Sequence, residues 1–302
     1  MRVTNQSLSH QVTDGIQSAF HRLAKVQESV STGKRINRLS DDAYGATRAF
    51  DLRSFSTSLD QYKRNIDSAL PVLEQTDAVL NDATAVLDRA KKIALAMANG
   101  TYSAQDRLQS ATEIHQTLQQ LLGLANTKLA GRYIFAGFKN ETVPFTDSGA
   151  GVTYNGDNGE ITTVTGPTST LTTNLLGNTV FQGAGVAGGV DLFDTLHDLE
   201  TALTANDVTG LDGITTQSGR LDKALDQILG LRTEVGARQN TAEATKESLD
   251  LMQIRARSLR SQLEDTDAIE AYSNLAQQQQ AFEAALQSAA RVIQPSLLDY
   301  LR

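Results

Sequence analysis

Few residues in this 302-residue chain could do chemistry, and their spacing is poor for it. Gly183, Gly185 and Gly188 make a G-x-G-x-x-G pattern after Val180-Phe181 and before a helix opening at Asp191. Such glycines cradle a dinucleotide only inside a β-α-β unit that continues into a parallel sheet. Here the next helix leads into more helix, so a flexible connector is the stronger reading of 183–188 and a nucleotide-binding enzyme the remote one. His10, His21, His115 and His197 have no His or Cys three or four residues on, which argues against metal. Cys is absent, and no Ser/His/Asp grouping stands out. The carboxylate pairs Asp41-Asp42 and Glu264-Asp265 read as helix capping and solvation. No catalytic, cofactor-binding or metal-ligating residue is expected, and the chain is expected not to be an enzyme.

The bulk numbers narrow the classes further. A formal net charge of −8 with a pI near 5.1 argues against nucleic acid, whose binding rests on Lys and Arg. It also argues against an anionic membrane surface. No run of about 18 apolar residues exists to span a bilayer. The first residues, Met1 to Gln6, lack the apolar run of a secretory signal, which taken alone points to the cytoplasm. Zero Cys excludes a disulfide scaffold, and only 4 Pro leave room for long helices.

The elements that must position any site are helices. Leu8, Val12, Ile16, Ala19, Leu23, Val26 and Val30 form an apolar stripe that Ser31-Thr32-Gly33 ends. Ser40-Asp41-Asp42 starts a second run, from Leu52 to Met97, which Pro71 should kink. Ser103 and Asp106 cap a third, whose stripe reaches Leu129. Between 133 and 190 Gly, Thr, Asn and Val take over. Val152-Thr153-Tyr154 and Ile161 to Val164 flank Asn155-Gly156 and Asn158-Gly159, a hairpin signal. Helical periodicity returns at Leu192, again from Leu221 to Leu263, and last as Tyr272, Leu275, Gln279, Phe282, Leu286, Ala289 and Ile293, until Pro295 closes it. Gln277 to Gln280 cover one turn of that last helix, readable equally as a tolerated polar layer or a wetted functional surface.

Helices at 41–98 and 211–264 would each reach roughly 80–90 Å, and those at 3–30 and 268–294 roughly 40 Å. The lengths match in nested pairs. The fold class expected is mainly α: a folded-back long helical coiled-coil hairpin or bundle with a small inserted β-domain, both termini helical and paired. Its domains would be 1–40 with 265–302, 41–132 with 191–264, and 133–190. A lone terminal hairpin leaves apolar residues wet, so the ends should order fully only beside neighbouring subunits.

Gly33-Lys34-Arg35-Ile36-Asn37-Arg38-Leu39-Ser40-Asp41-Asp42-Ala43 resembles the N-terminal motif of flagellin-like proteins, and Phe282 through Arg302 resembles their C-terminal helix. Arg35, Ile36, Asn37, Asp41 and Asp42 carry the match. Gly131 to Phe138, Pro144-Phe145, Glu234 to Arg238 and Leu263 to Asp267 look more like the hook-associated junction branch than like filament flagellin. The resemblance covers essentially the whole chain. It implies an extracellular flagellar subunit, exported through the type III apparatus without a cleaved signal, which reverses the cytoplasmic default. It implies a ring of like subunits, with another hook-associated protein on the hook side and flagellin on the filament side. A cytoplasmic export chaperone at the C-terminal helices is implied as well. Leu8, Val12, Ile16, Leu23, Val26, Val30, Tyr272, Leu275, Phe282, Leu286 and Ile293 would then be subunit-interface residues. The nearest rival is a filament-forming flagellin. A helical-hairpin signalling protein is disfavoured, since no membrane anchor is evident.

Overall fold

The computed structural model describes residues 5–149 and 151–299, with side-chain surroundings over 9–149 and 151–290. Helix α1, Asn5–Thr32, stops where Gly33 turns left-handed at φ 70. Helix α2, Ala43–Met97, is opened by Asp42, whose Oδ1 accepts the Gly45 N–H at 2.8 Å. It continues through Pro71, so the expected kink does not end it. Pro71 is itself exposed, while Ile66, Ala69 and Leu73 around it are buried and hold the turn in place. Helix α3, Ala104–Ala125, begins with the anticipated capping box of Ser103 and Asp106.

Helix α3 stops short of Leu129. Asn126 intervenes: its Nδ2 donates to the Phe145 carbonyl at 2.9 Å, and its Oδ1 accepts the Phe145 N–H at 3.0 Å. Leu129 instead lies in strand β1, Lys128–Leu129, paired with β2, Arg132–Tyr133. The segment that follows forms two further hairpins, β3 (Phe145–Asp147) with β4 (Val152–Tyr154), and β5 (Thr162–Val164) with β6 (Thr170–Thr172). The strands flanking the two Asn-Gly steps, β4 and β5, therefore do not pair with each other. Asp157 between those steps ties the loop elsewhere, its Oδ1 accepting the N–H groups of Phe138 at 2.7 Å and Gly159 at 3.0 Å.

A short helix α4, Gly177–Gln182, precedes α5, Leu192–Thr204, then α6, Ile214–Glu264, and α7, Ala268–Asp299. Pro295 lies inside α7 rather than closing it; the lost backbone bond does not stop the turn there. The paired lengths hold up, at 28 and 32 residues for α1 and α7 and 55 and 51 for α2 and α6.

The chain divides into two compact units, 1–59 with 251–302 and 60–250, so α2 and α6 each contribute to both. Within 60–250, α2 and α6 run antiparallel, as their ion pairs record: Lys63 with Asp250, Asp67 with Lys246, Asp77 with Arg232, Lys91 with Asp222. Every seventh residue is buried on both helices, Ile66, Leu73, Leu80 and Leu87 on one and Leu221, Ile228, Val235, Ala242 and Leu249 on the other. Ile114, Leu118 and Leu121 of α3 and Leu192, Leu196 and Leu199 of α5 extend this unit's core, which also holds an aromatic cluster. Phe145 packs against Phe181 and Phe193, with centroids 5.3 Å away in each case, and Phe135 meets Phe181 edge-on at 5.2 Å.

Candidate assembly surface

The glycine pattern is a connector between α4 and α5. Gly183 caps α4 with φ 66, and a Cβ there would meet the Val190 nitrogen at 2.6 Å. Buried Gln227 of α6 pins the loop: its Oε1 accepts the Val190 N–H at 3.0 Å and its Nε2 donates to the Val180 carbonyl at 2.8 Å. Val180 and Phe181 are helical, so no strand leads into the glycines. His115 lies 3.2 Å from Glu200, and His197 lines the same small cleft of about 180 Å³. Among the described residues no group of three or more His, Asp or Glu could hold a metal ion.

The motif residues converge instead on one knot in the terminal unit. The loop after α1 lies against the turn between α6 and α7, with Lys34 and Asp265 paired antiparallel. Arg35 N–H donates to the Glu264 carbonyl at 2.7 Å, and Thr266 N–H to the Gly33 carbonyl at 3.0 Å. Arg35 Nη2 donates to the Leu263 carbonyl at 3.0 Å and sits 3.5 Å from Asp42. Asn37 Nδ2 closes the loop onto the Lys34 carbonyl at 3.0 Å. Asp41 accepts from the N–H groups of Asn37 and Arg38 and pairs with Lys25 of α1 at 2.9 Å. The Lys25 ammonium and the Arg38 N–H hold the Asp41 carboxyl below the usual carboxylate range. Ile36 is the buried side chain of the loop, and a Cβ on Gly45 would meet the Asp42 carboxylate at 2.5 Å and the Ile36 Cδ1 at 2.7 Å, displacing both.

Glu264 is the residue that sequence reasoning misjudged. Expected to be solvated, its side chain is only 6% exposed, bridging Lys34 at 3.0 Å and Arg53 at 2.9 Å. The signal lay in the basic residues of two distant segments, which only the pairing of α2 with α6 brings to one acid.

Helices α1 and α7 pack along each other, and Phe20 meets Phe282 with ring centroids 6.0 Å apart. Val12, Ile16, Leu23, Val26 and Val30 of α1 are half-buried, as are Leu275 and Phe282 of α7. Tyr272 and Leu286 are exposed at 62% and 43%; the face of α7 turned inward carries Ala271, Leu275, Gln278, Phe282, Ala285 and Ala289. Gln278 is thus the polar layer of the seam, and the other three glutamines are exposed. Leu8 and Ile293 lie outside the residues whose side chains are described.

The terminal unit is unusual in what it hides and shows. Among the described residues its buried apolar positions are mainly Ala19, Ala49, Ala256, Ala271 and Ala289, with only Ile36 and Leu59 larger. Most of the large apolar side chains exposed among the described residues belong to it, although it is the shorter unit. They include Phe20, Tyr44, Phe50, Ile254, Ile269 and Tyr272. A concentration of exposed large apolar side chains on one unit points to an interaction face.

Comparison with known proteins supplies the kinship. A family model of the bacterial flagellin N-terminal helical region matches residues 3–140, and one of the C-terminal helical region matches 219–301. The flagellar hook-associated protein 3 of Escherichia coli is 30% identical over 81% of this chain and 82% of its own length. The chain belongs to the flagellin family. Hook-associated protein 3 of Salmonella typhimurium is 29% identical over 94% of this chain and 95% of its own. A solved structure described as a hook-associated protein from Vibrio parahaemolyticus superposes with TM-score 0.67, covering 74% of this chain and all of that one; at 19% identity it speaks to the fold. The flagellin-family motif of residues 33–43 thus turns out to be a clamp that fixes the α1–α2 loop. The Gly131 to Phe138 segment builds the other unit's core, with the buried Phe135 carbonyl accepting from Tyr154 and Gly177. No helix among the described residues is long and apolar enough to cross a membrane.

Proposed function

We propose that the chain is a non-catalytic subunit of the bacterial flagellum that joins the hook to the filament. The observation that carries this is the inverted terminal unit: alanines inside, aromatic and aliphatic side chains outside. Each large apolar residue covered by a neighbour would add about 1.5–3 kcal/mol to association. Tyr272 and Leu286 belong to the surface that a neighbouring subunit covers. Val12, Ile16, Leu23, Val26, Val30, Leu275 and Phe282 serve first to pair α1 with α7 and present that surface.

On this reading the protein forms a ring of like subunits at an extracellular junction, with another hook-associated protein beneath and flagellin above. Before export a cytoplasmic chaperone covers the C-terminal helices. The division into 1–40 with 265–302, 41–132 with 191–264, and 133–190 then describes successive layers of the assembly.

Purified protein should stay unassembled alone and add to isolated hooks that carry the other hook-associated protein, after which flagellin polymerises on it. Leu286→Glu should leave the monomer folded and abolish that addition. Long fibres formed by the protein alone would instead make it a filament flagellin.

A further inference from the structure

The chain contains three Asn-Gly steps, and none of them forms the turn of a β-hairpin: 99–100 follows α2, while 155–156 and 158–159 lie in the loop after β4. An Asn-Gly step has a second chemistry. The glycine nitrogen can attack the asparagine Cγ, forming a C–N bond and expelling the side-chain nitrogen as ammonia. Water then opens the succinimide ring, leaving aspartate or isoaspartate. The reaction needs an accessible glycine nitrogen that is not already donating a hydrogen bond, and an amide carbonyl held over it.

The three steps differ in these respects. Gly159 N–H is engaged by Asp157 Oδ1 at 3.0 Å, and the Phe138 ring lies over that glycine, 2.2 Å from where a Cβ would stand. The Asn158 side chain is held by Asn178 at 2.8 Å. Gly156 is covered by Tyr154, whose hydroxyl is 2.3 Å from the corresponding point, and Asn155 Nδ2 is tied to Thr146 Oγ1 at 3.0 Å. Gly100 has open space around it, and its N–H has no partner among the described residues. Asn99 is exposed, and its Oδ1 accepts the Thr101 N–H at 3.2 Å. That hydrogen bond turns the side-chain carbonyl back toward the backbone that follows it, polarises Cγ, and would stabilise the oxyanion of the tetrahedral intermediate.

We infer that Asn99 is a site of spontaneous succinimide formation in the folded protein, and that Asn155 and Asn158 are protected by the fold. The change bears on a structural joint. Buried Arg107 fastens the end of α2 by donating to the Met97 and Asn99 carbonyls, at 2.9 and 3.0 Å, and to Asn206 Oδ1 at 2.6 Å. An isoaspartate inserts an extra methylene at that joint and sets a new carboxylate beside the guanidinium.

The test is to incubate the full chain in mildly alkaline buffer, digest it and quantify deamidated peptides by mass spectrometry. Asn99 should convert several times faster than Asn155 or Asn158, and the three rates should converge in concentrated urea. Gly100→Ala should slow conversion at 99 several-fold without raising it at 155 or 158. Should the native protein convert 155 or 158 first, or convert all three at the rates seen in urea, the inference is wrong.

Discussion

Glu264 offers the sharpest test of the clamp, because its environment and that of its partners differ. Its side chain is 6% exposed, whereas Lys34 and Arg53 are 41% and 55% exposed. Removing either cation leaves the carboxylate with the other, so Lys34→Ala and Arg53→Ala should each cost under about 1 kcal/mol, as for exposed pairs. Removing both leaves a buried carboxylate with no counter-charge, and that loss should rise to about 3 kcal/mol. The pair is therefore coupled, and the double variant should lose more than the two singles together. Glu264→Gln removes the buried charge and frees two cations that water can solvate, so it should cost about 1–2 kcal/mol, less than the double cation variant. Urea denaturation gives the total. Hydrogen exchange at the Arg35 and Thr266 amides, which bond to the Glu264 and Gly33 carbonyls, localises it. Strict additivity of the two alanine substitutions, with exchange at those amides unchanged, would refute the reasoning.

Other outcomes follow from the same contacts. Asp41 has its carboxyl held below the normal range, so its contribution is complete above about pH 4 and fades as pH falls through its lowered value; exchange at the Asn37 and Arg38 amides should rise only in that acid window. Burial pushes the Tyr154 hydroxyl up to about 12, so the proton it shares between the Phe135 and Asp157 carbonyls stays on until about that pH, while the stability it contributes is complete below about pH 10 and falls away between there and about 12. Phenolate absorbance should show one tyrosine titrating late, with unfolding of 60–250 following it. Phe181→Ala should cost about 3–5 kcal/mol, since the ring is fully buried among Phe135, Phe145 and Phe193. Exchanging Lys63 and Asp67 for each other sets like charges against Asp250 and Lys246 and should cost about 1 kcal/mol, recovered when Lys246 and Asp250 are exchanged too; calorimetry on the three variants checks this.

What could be read from the residues was whatever local physics decides. Apolar stripes fixed the helices, and Gly33, Asp42 and Ser103 fixed their ends. Strand pairing was less legible, because the Asn-Gly steps suited a hairpin and only the remote partners of Asp157 and Tyr154 show why β4 and β5 part. The same holds for Leu129, whose apolar spacing favoured continued helix until Asn126 found the Phe145 backbone. On α7 alternate positions of the stripe were off by one: Tyr272, Gln279 and Leu286 fitted the spacing but are exposed, and Ala271, Gln278 and Ala285 take their places beside Leu275, Phe282 and Ala289, which lie where the spacing put them. Counting only large residues missed that a close helix pair prefers small ones.

That preference separates the two units. In 60–250, leucine layers and an aromatic cluster supply the buried apolar surface that stabilises the fold. In the terminal unit alanines line the interior, each contributing little, and the loop is secured by hydrogen bonds and the Glu264 pairs. Beyond the half-buried residues of the α1–α7 seam, large side chains such as Tyr44, Phe50, Ile254, Ile269 and Tyr272 are exposed. Turning them inward would force α1 and α7 apart and break the pairing of Phe20 with Phe282. The sequence therefore trades the subunit's own stability at this end for surface that becomes buried on association, which an assembly subunit requires and a free-standing domain does not.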